Sequence, residues 1–207
     1  MIHNVFISFH HDNDQRYKDE LVRWGTGNGI FNDGSVELGE IPDDWDSQQI
    51  REYIRDEHLK DTSVTILLVG TETKNRKHVD WELFSSMYNG KKNKKSGILV
   101  INLPSVNCQY HTLCSQEEKD AILPMVKNWI SITNRTEFER RYPYMPARII
   151  DNMMKTGVNI SVINWNDLSS PDKLTLLLDK AYISRTSNDY DMSRPMMMRN
   201  LFATNSI

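Results

Sequence analysis

The sequence has only two cysteines, Cys108 and Cys114, in 207 residues. Small domains that depend on disulfides have a larger set of cysteines, and two do not make such a framework. A zinc site formed by the two cysteines and His111 is also disfavoured, because structural zinc usually needs four ligands at tighter spacing. Two ordinary thiols in a loop are the simpler interpretation, so the chain must depend on a hydrophobic core.

Long apolar runs are also lacking. No segment approaches the roughly 20 consecutive apolar residues that a membrane-spanning helix needs. The first residues lack the basic and apolar regions of a signal peptide and instead resemble a first strand at 4–9. We therefore expect a cytoplasmic protein with no membrane partner.

Basic residues are not in excess. The chain has 25 Lys and Arg against 28 Asp and Glu, with a net charge of −3. Nucleic-acid-binding domains usually have a basic surface, so nucleic acid is not an expected partner. The most basic stretch is 91–95, at a predicted turn. Solvated lysines explain it most simply, and a phosphate or partner contact is the alternative.

Apolar runs alternate with segments of helical periodicity along the first half of the chain. Strands are predicted at 4–9, 30–33, 64–70 and 96–104, with a helix between each pair. Near-continuous apolar strands that alternate with helices are typical of a parallel sheet covered on both faces. The sequence therefore predicts an α/β fold.

The second half is less regular. Residues 105–157 look like an insert after the fourth strand, with a helix at about 115–132. The last strand is predicted at 158–165, and the last helix runs from Pro171 to Tyr182.

No internal repeat or low-complexity linker divides the chain, so a single domain is predicted at 1–183. Residues 184–207 include three consecutive methionines and show no clear period. We expect them to form a loosely attached tail or a partner-binding arm.

Stretch 77–88 directly follows the third predicted strand and has helical periodicity. Val79, Leu83 and Met87 fall on an apolar arc, whereas Glu82 lies on the opposite, polar arc. A solvated surface acid is the simplest interpretation of this stretch alone. The alternative is a functional acid, since ligands of open α/β sheets bind at the carboxyl ends of strands.

Two other patterns resemble known functional motifs but do not match them fully. Asp12 and Asp14 follow the first strand as in a phospho-receiver domain, but no acid ends the third strand at 69–71. The glycine-rich stretch 25–29 follows a helix, whereas a dinucleotide fingerprint follows a strand. A helix stop is the better interpretation of these glycines.

Three motifs, in order, resemble those of a TIR domain. Val5–Phe6–Ile7–Ser8–Phe9–His10 resembles the first strand of that family, and 30–39 resembles its second strand and the BB loop that follows. His78–Val79–Asp80–Trp81–Glu82 resembles the third-helix signature that ends in the family's catalytic glutamate. This form is similar to the prokaryotic TIR-like branch, which includes the TIR-like subunit of the Thoeris anti-phage system.

The resemblance covers residues 2–104 and, more weakly, 158–183. Two features depart from the family: His78 stands where many members have tryptophan, and the 105–157 insert is long. These departures affect substrate details more than the fold.

The resemblance implies a flavodoxin-like fold with a central parallel sheet of about five strands. It also implies cleavage of the nicotinamide–ribose bond of NAD+, which is a substrate rather than a cofactor, and synthesis of a cyclic ADP-ribose isomer. That messenger would activate a separate effector that depletes NAD+ after phage infection. No metal and no bound cofactor are expected.

By the same resemblance, Glu82 is the expected catalytic residue, because a positioned carboxylate stabilises an oxocarbenium-like ribose. Phe9 and His10 are expected to stack on a ring of the substrate, and Asp33 and Ser35 to line its ribose or phosphate pocket. His78 is included as a substrate-binding position.

Trp81 faces the apolar arc, so packing is its expected role. A homo-oligomer is expected on activation, in which the BB loop of a neighbour, 34–46 here, completes the site. Two alternatives stay open: a non-catalytic TIR interaction module, and a flavodoxin-like nucleotide-binding regulator without turnover.

Overall fold

The computed structural model describes residues 2–35, 45–90 and 93–201. Its centre is a five-stranded sheet in the order β2-β1-β3-β4-β5, and all strand pairs are parallel. The strands are β1 (His3–Ser8), β2 (Phe31–Asp33), β3 (Val64–Val69), β4 (Gly97–Asn102) and β5 (Ser161–Asn164).

Helices connect these strands and cover both faces of the sheet. They are α1 (His11–Gly27), α2 (Ser47–Tyr53), α3 (Lys77–Met87), α4 (Gln116–Ile122), α5 (Arg135–Arg141), α6 (Ala147–Met154) and α7 (Pro171–Ser187). A capping box at Asp46 begins α2, and a π-helical turn, Ile54–His58, continues it.

Core side chains alternate between the two faces, as the period of a strand requires. Val5 and Ile7 of β1 point to one face and form a cluster with Leu21 of α1 and Leu178 of α7. Leu67 of β3 points to the other face, into a cluster with α3, α5 and α6. The sheet is therefore buried on both sides, as its continuous apolar strands predict.

The predicted α/β, flavodoxin-like fold is confirmed. β1 and β3 are neighbours, with Ser8 paired to Leu67, but the chain leaves β1 for α1 on one face and β3 for α3 on the other. This arrangement makes a topological switch point at the carboxyl ends of β1 and β3. Ligands of such sheets bind in the crevice at that point.

Helix α3 differs from the prediction. Its apolar arc packs as expected, but its polar arc is buried too, including Glu82, Ser85 and Ser86. The polar arc faces polar positions of the sheet, and Thr65 Oγ1 of β3 lies 2.8 Å from Ser86 Oγ. Helical periodicity separates polar from apolar residues but does not show that the polar ones face a sheet.

The helix predicted at 115–132 is shorter than expected. A capping box at Ser115 begins α4 as predicted, but the helix ends at Ile122. Pro124 explains this end, because proline disfavours helical backbone in the residue before it and lacks an N–H to donate. Met125, which lies within the predicted helix but beyond the end of α4, is exposed. Helices α5 and α6 were not predicted, and whether 105–157 is an insertion stays a prediction.

The expected loose attachment of 184–207 is wrong for the residues that the structure describes. Residues 184–187 complete α7, and 188–201, here called the carboxy-terminal strap, lie against the domain. Tyr190 is buried and donates a hydrogen bond of 3.0 Å to the Ser96 carbonyl. The prediction of a single domain at 1–183 stays a prediction. Most of the predicted BB loop, 36–44, and the last residues, 202–207, lie outside the described residues.

Candidate active site

The carboxyl group of Glu82 lies at the carboxyl end of β1. Glu82 is in the second turn of α3, and Ser8 is the last residue of β1. The Ser8 hydroxyl donates a hydrogen bond of 2.5 Å to Glu82 Oε2. Glu82 is only 3% exposed, so its interpretation as a solvated surface acid is wrong.

Glu82 has no cationic partner among the residues that the structure describes. Burial raises its pKa to about 8, and the hydrogen bond from Ser8 offsets part of this rise. A carboxyl group in a low-dielectric site without a counter-ion favours its neutral form. The free protein therefore holds Glu82 largely protonated at neutral pH.

A second acid, Asp14, lies at the same switch point. Asp14 belongs to the first turn of α1 and is buried, and its Oδ2 has no hydrogen-bond partner within the described parts of the chain. A Cβ on Gly70, just after β3, would lie 2.3 Å from that oxygen, so the close approach requires glycine. Burial raises the pKa of Asp14. The position of Asp14 directly after the first strand was its only sequence signal, and the receiver interpretation had used it differently.

His10 lies between β1 and α1 and is buried. Burial lowers its pKa, and the positive charge of Arg76 lowers it further. His10 Nδ1 is buried without a partner, while Nε2 lies 3.6 Å from Asp12 Oδ2. His10 is therefore a neutral imidazole at the carboxyl edge of the sheet.

Phe9 lies on the other face of the sheet from Glu82. Its side chain belongs to the cluster under α1 and α7, and its ring stacks on His11 with the centroids 4.4 Å apart. Phe9 directly follows Ser8, the last residue of β1, and its side chain points to the opposite face, as the alternation along the strand predicts. The end of β1 therefore lies between the side chains of Phe9 and Glu82.

Asp33 and Ser35 follow the edge strand β2 and make local contacts. Ser35 Oγ accepts a hydrogen bond of 3.1 Å from the Ile7 N–H, and Asp33 Oδ1 accepts one of 3.0 Å from the Ser35 N–H. Asp33 Oδ2 lies 3.5 Å from Lys18 Nζ of α1. These contacts extend the pairing of β2 with β1, and none of them reaches Glu82.

His78 is exposed one turn before Glu82, and its ring contacts Trp81 edge-on at 5.0 Å. Trp81 is buried, as expected for a packing residue, and its Nε1 donates a hydrogen bond of 2.6 Å to the Met197 carbonyl. The structure thus brings Ser8, His10, Asp14 and Glu82 to the switch point. Of these, Ser8 had not been singled out from the sequence, although it lies within the first-strand motif.

A family model for the Thoeris protein ThsB, TIR-like domain, matches residues 6–108, which run from the second half of β1 through β4 and include α3. The chain belongs to the Thoeris TIR-like family. A comparison with curated proteins gave no match, and neither did one with solved structures.

In this Thoeris TIR-like protein, the other acid of α3 is held very differently from Glu82. Asp80 is buried and forms a bidentate ion pair with Arg148 of α6, with N–O distances of 2.8 and 3.0 Å. Arg148 is itself buried and also donates to the carbonyls of Arg194 and Pro195. Asp80 Oδ2 accepts a further hydrogen bond of 2.9 Å from the Met197 N–H. No local pattern predicts this contact, because its residues lie far apart in the chain.

The carboxy-terminal strap of the TIR-like protein also completes the start of α3. No side chain of the preceding residues caps this helix, but Asn200 Oδ1 accepts a hydrogen bond of 2.9 Å from the Lys77 N–H. The Leu201 N–H donates to the Asn75 carbonyl at 2.9 Å. A polar side chain from the strap thus satisfies an N–H that would otherwise lack a partner at the helix end.

The cysteines and His111 have separate environments. Cys108 contacts the carbonyls of Tyr110 and Arg141, whereas His111 Nε2 lies 2.7 Å from Asp167 Oδ2. Across 2–35, 45–90 and 93–201, no group of three or more His, Cys, Asp or Glu side chains could hold a metal ion. Within the same ranges, no helix has the length and apolar character to cross a membrane.

Proposed function

We propose that this TIR-like protein is an NAD+-cleaving enzyme of the ADP-ribosyl cyclase type. It releases nicotinamide and makes a cyclic ADP-ribose isomer, which serves as a second messenger in anti-phage defence. The messenger activates a separate effector that depletes NAD+. Catalysis requires Glu82, and assembly into a homo-oligomer accompanies activation.

The observation that carries this proposal is the environment of Glu82. Its carboxyl group is buried at a topological switch point, accepts one hydrogen bond from Ser8, and has no cation beside it among the described residues. An uncompensated buried acid is costly for stability and is typical of functional sites. A purely structural acid has no need of this arrangement, as the ion pair of Asp80 illustrates.

The raised pKa of Glu82 couples its ionisation to substrate binding. NAD+ has a positively charged nicotinamide ring, and a cation close to a carboxyl group lowers the pKa of that group. Arrival of the ring therefore supplies the missing counter-charge, and Glu82 releases its proton to solvent as the substrate binds. The charged catalyst is formed only in the complex.

The carboxylate then acts on the sugar. When the bond between the ribose carbon and the nicotinamide nitrogen breaks, its electron pair leaves with nicotinamide and positive charge develops on the ribose. The Glu82 carboxylate stabilises that charge and accepts hydrogen bonds from the ribose hydroxyls. Another atom of the same molecule then bonds to the ribose carbon and closes the ring, whereas attack by water would give the hydrolysis product.

Neighbouring residues are assigned to substrate contact. His10 is neutral, so its ring can stack on nicotinamide without charge repulsion. Phe9 borders the same edge from the other face of the sheet. We also assign Asp33, Ser35 and His78 to the rim of the proposed site, as contacts for the ribose and phosphate groups of the substrate.

The test compares the wild type with Glu82→Gln and with Glu20→Gln, an exposed glutamate of α1 that serves as the matched control. Purified proteins and lysates of phage-infected cells are analysed by mass spectrometry for nicotinamide and cyclic ADP-ribose isomers. We expect Glu82→Gln to lower product by roughly a hundredfold or more and Glu20→Gln to leave it unchanged.

Equal product from the wild type and Glu82→Gln would refute the catalytic role of Glu82. No product from the wild type in infected lysate would favour a non-catalytic interaction module. Thermal unfolding of each variant shows whether a loss of product comes from a loss of the fold.

A further inference from the structure

A cavity of about 390 Å³ opens at the amino ends of β1 and β3. Asn4 of β1 and Ser63, just before β3, line it, and the Ser63 N–H donates to the Asn4 carbonyl at 3.0 Å. Ser8 and Glu82 lie at the carboxyl end of β1. The cavity is therefore at the opposite edge of the sheet from the candidate active site.

Positive charge predominates in the lining of this cavity. Arg55, Lys94 and Arg185 contribute cations, and Asp61 contributes the one carboxylate among the described lining residues. Another nearby acid, Asp56, accepts a hydrogen bond of 2.5 Å from Asn93 Nδ2. The described part of the lining thus has more positive than negative charge.

Arg55 is the most deeply buried of these cations. It is only 3% exposed, and it forms no ion pair with any described carboxylate. Its one side-chain hydrogen bond in the described structure runs from Nη1 to Ser96 Oγ at 3.3 Å, and its Nε is buried without an acceptor. Burial lowers the pKa of Arg55 to about 10, and the negative charge of nearby Asp56 offsets part of this fall. Buried arginines are usually paired, because an isolated buried charge is costly.

Arg185 adds a second guanidinium to the same cavity. Its carbon Cζ lies 4.2 Å from the ring centroid of Tyr182, which fixes its position, and its Nε also lacks an acceptor. The charge of Arg185 contributes to the lowered pKa of Arg55, as expected for two cations close together. The two guanidiniums repel each other until an anion lies between them.

The turn after α3 brings further donors. Asn93 and Lys94 come from the basic stretch 91–95, of which Lys91 and Lys92 lie outside the described residues. Lys95 is already engaged with the Asn188 carbonyl. The stretch is thus divided between holding the strap and lining the cavity.

We propose that this cavity binds a phosphate-bearing anion, held by the three cations Arg55, Arg185 and Lys94, with Asn93 and Ser63 in the wall beside it. Arginine pairs with phosphate through two parallel N–H bonds, and lysine adds a point charge. Three cations require more than one negative charge, which a diphosphate group supplies. The cavity volume lies within the range of small-ligand sites.

The experiment titrates inorganic pyrophosphate into the full chain by isothermal calorimetry at low ionic strength, with malonate as a dicarboxylate arm. The variants are Arg185→Gln and Lys94→Gln, with Arg23→Gln, an exposed arginine of α1, as the charge-matched control. We expect saturable binding of pyrophosphate, weakened roughly tenfold or more by Arg185→Gln, less by Lys94→Gln, and unchanged by Arg23→Gln.

Amide chemical shifts give a second measurement that needs no substitution. Pyrophosphate should shift the signals of Ser63, Asn93 and Arg185 and leave those of Ser8 and Glu82 in place. Glu82→Gln should bind pyrophosphate as the wild type does. The experiment therefore tests the anion site independently of the proposed catalytic role of Glu82. Absence of saturable binding, equal binding by Arg185→Gln, or equal binding of malonate would overturn the proposal.

Discussion

Two acids of helix α3, two residues apart, are both buried but have opposite surroundings. Asp80 faces α6 and the carboxy-terminal strap, where Arg148 and the Met197 N–H bind both of its oxygens. Glu82 faces the end of β1, where a single hydroxyl from Ser8 contacts it. Burial is common to both, and only the counter-charge differs.

Asp80 therefore stabilises the fold, whereas the proposed function uses Glu82 for chemistry. The Asp80–Arg148 pair leaves no place for another cation, since two strap carbonyls also accept from Arg148. Glu82, by contrast, is largely protonated and neutral in the free protein, because burial raises its pKa. The proposed function therefore places the substrate cation beside Glu82, whereas Asp80 already has its counter-charge.

Removing the cation from Asp80 should have the largest effect. Arg148→Met leaves a buried carboxylate unpaired, and breaking a buried ion pair from one side costs roughly 3–5 kcal/mol of the free energy of unfolding. Chemical denaturation measures the loss. The double variant Asp80→Asn/Arg148→Met should recover most of it, and a loss below about 1 kcal/mol in the single variant would contradict the role of the pair.

The charge of Glu82, unlike that of Asp80, should destabilise the fold, and the pH dependence of stability should show this. Its folded pKa, about 8, lies above the ordinary value of 4.5. Between these two values the unfolded chain has released the proton while the folded protein retains it, so the free energy of unfolding falls as pH rises. Below this window Glu82 contributes no pH dependence.

Glu82→Gln cannot ionise, so it should lack this fall and become more stable than the wild type by roughly 2–4 kcal/mol near the upper end of the window. Unfolding of both proteins at several pH values measures the difference. Glu20→Gln should follow the wild type throughout. A constant difference between wild type and Glu82→Gln across the window would mean that Glu82 titrates normally.

The smallest expected effect concerns the hydroxyl beside Glu82. Ser8→Ala removes the hydrogen bond that lowers the pKa of Glu82, so that pKa should rise further and the pH profile of NAD+ cleavage should move to higher pH. The stability cost should be about 1 kcal/mol. Ser85→Ala is the matched control, because Ser85 is buried on the same helix and its Oγ has no partner. Identical profiles for the two variants would contradict the role of Ser8.

Local patterns predicted most of the fold. The apolar runs of β1, β3 and β4, and the helical periods between them, are properties of short segments that the final structure keeps. The order of motifs identified Glu82 as a candidate. Local patterns did not predict its burial, because that depends on Ser8, which is 74 residues away in the chain.

Distance along the chain also explains why the contacts of Asp80 were not predicted. Arg148 is 68 residues from Asp80, and Met197 is 117 residues away. Neither has a local pattern that assigns it a partner, and the irregular composition around α5, α6 and the strap hid those elements. Contacts between distant segments of the chain therefore account for most of the incorrect expectations.

The cap that Asn200 places on Lys77 also bears on biosynthesis. These two residues are 123 positions apart, so a growing chain has already exposed α3 long before its cap and the Met197 contact exist. Until Met197 has been added, Asp80 lacks the N–H of that residue and Trp81 Nε1 lacks its carbonyl. The helix that holds Glu82 therefore acquires its final contacts only after the strap has been translated, and the catalytic role proposed for Glu82 depends on the same late residues.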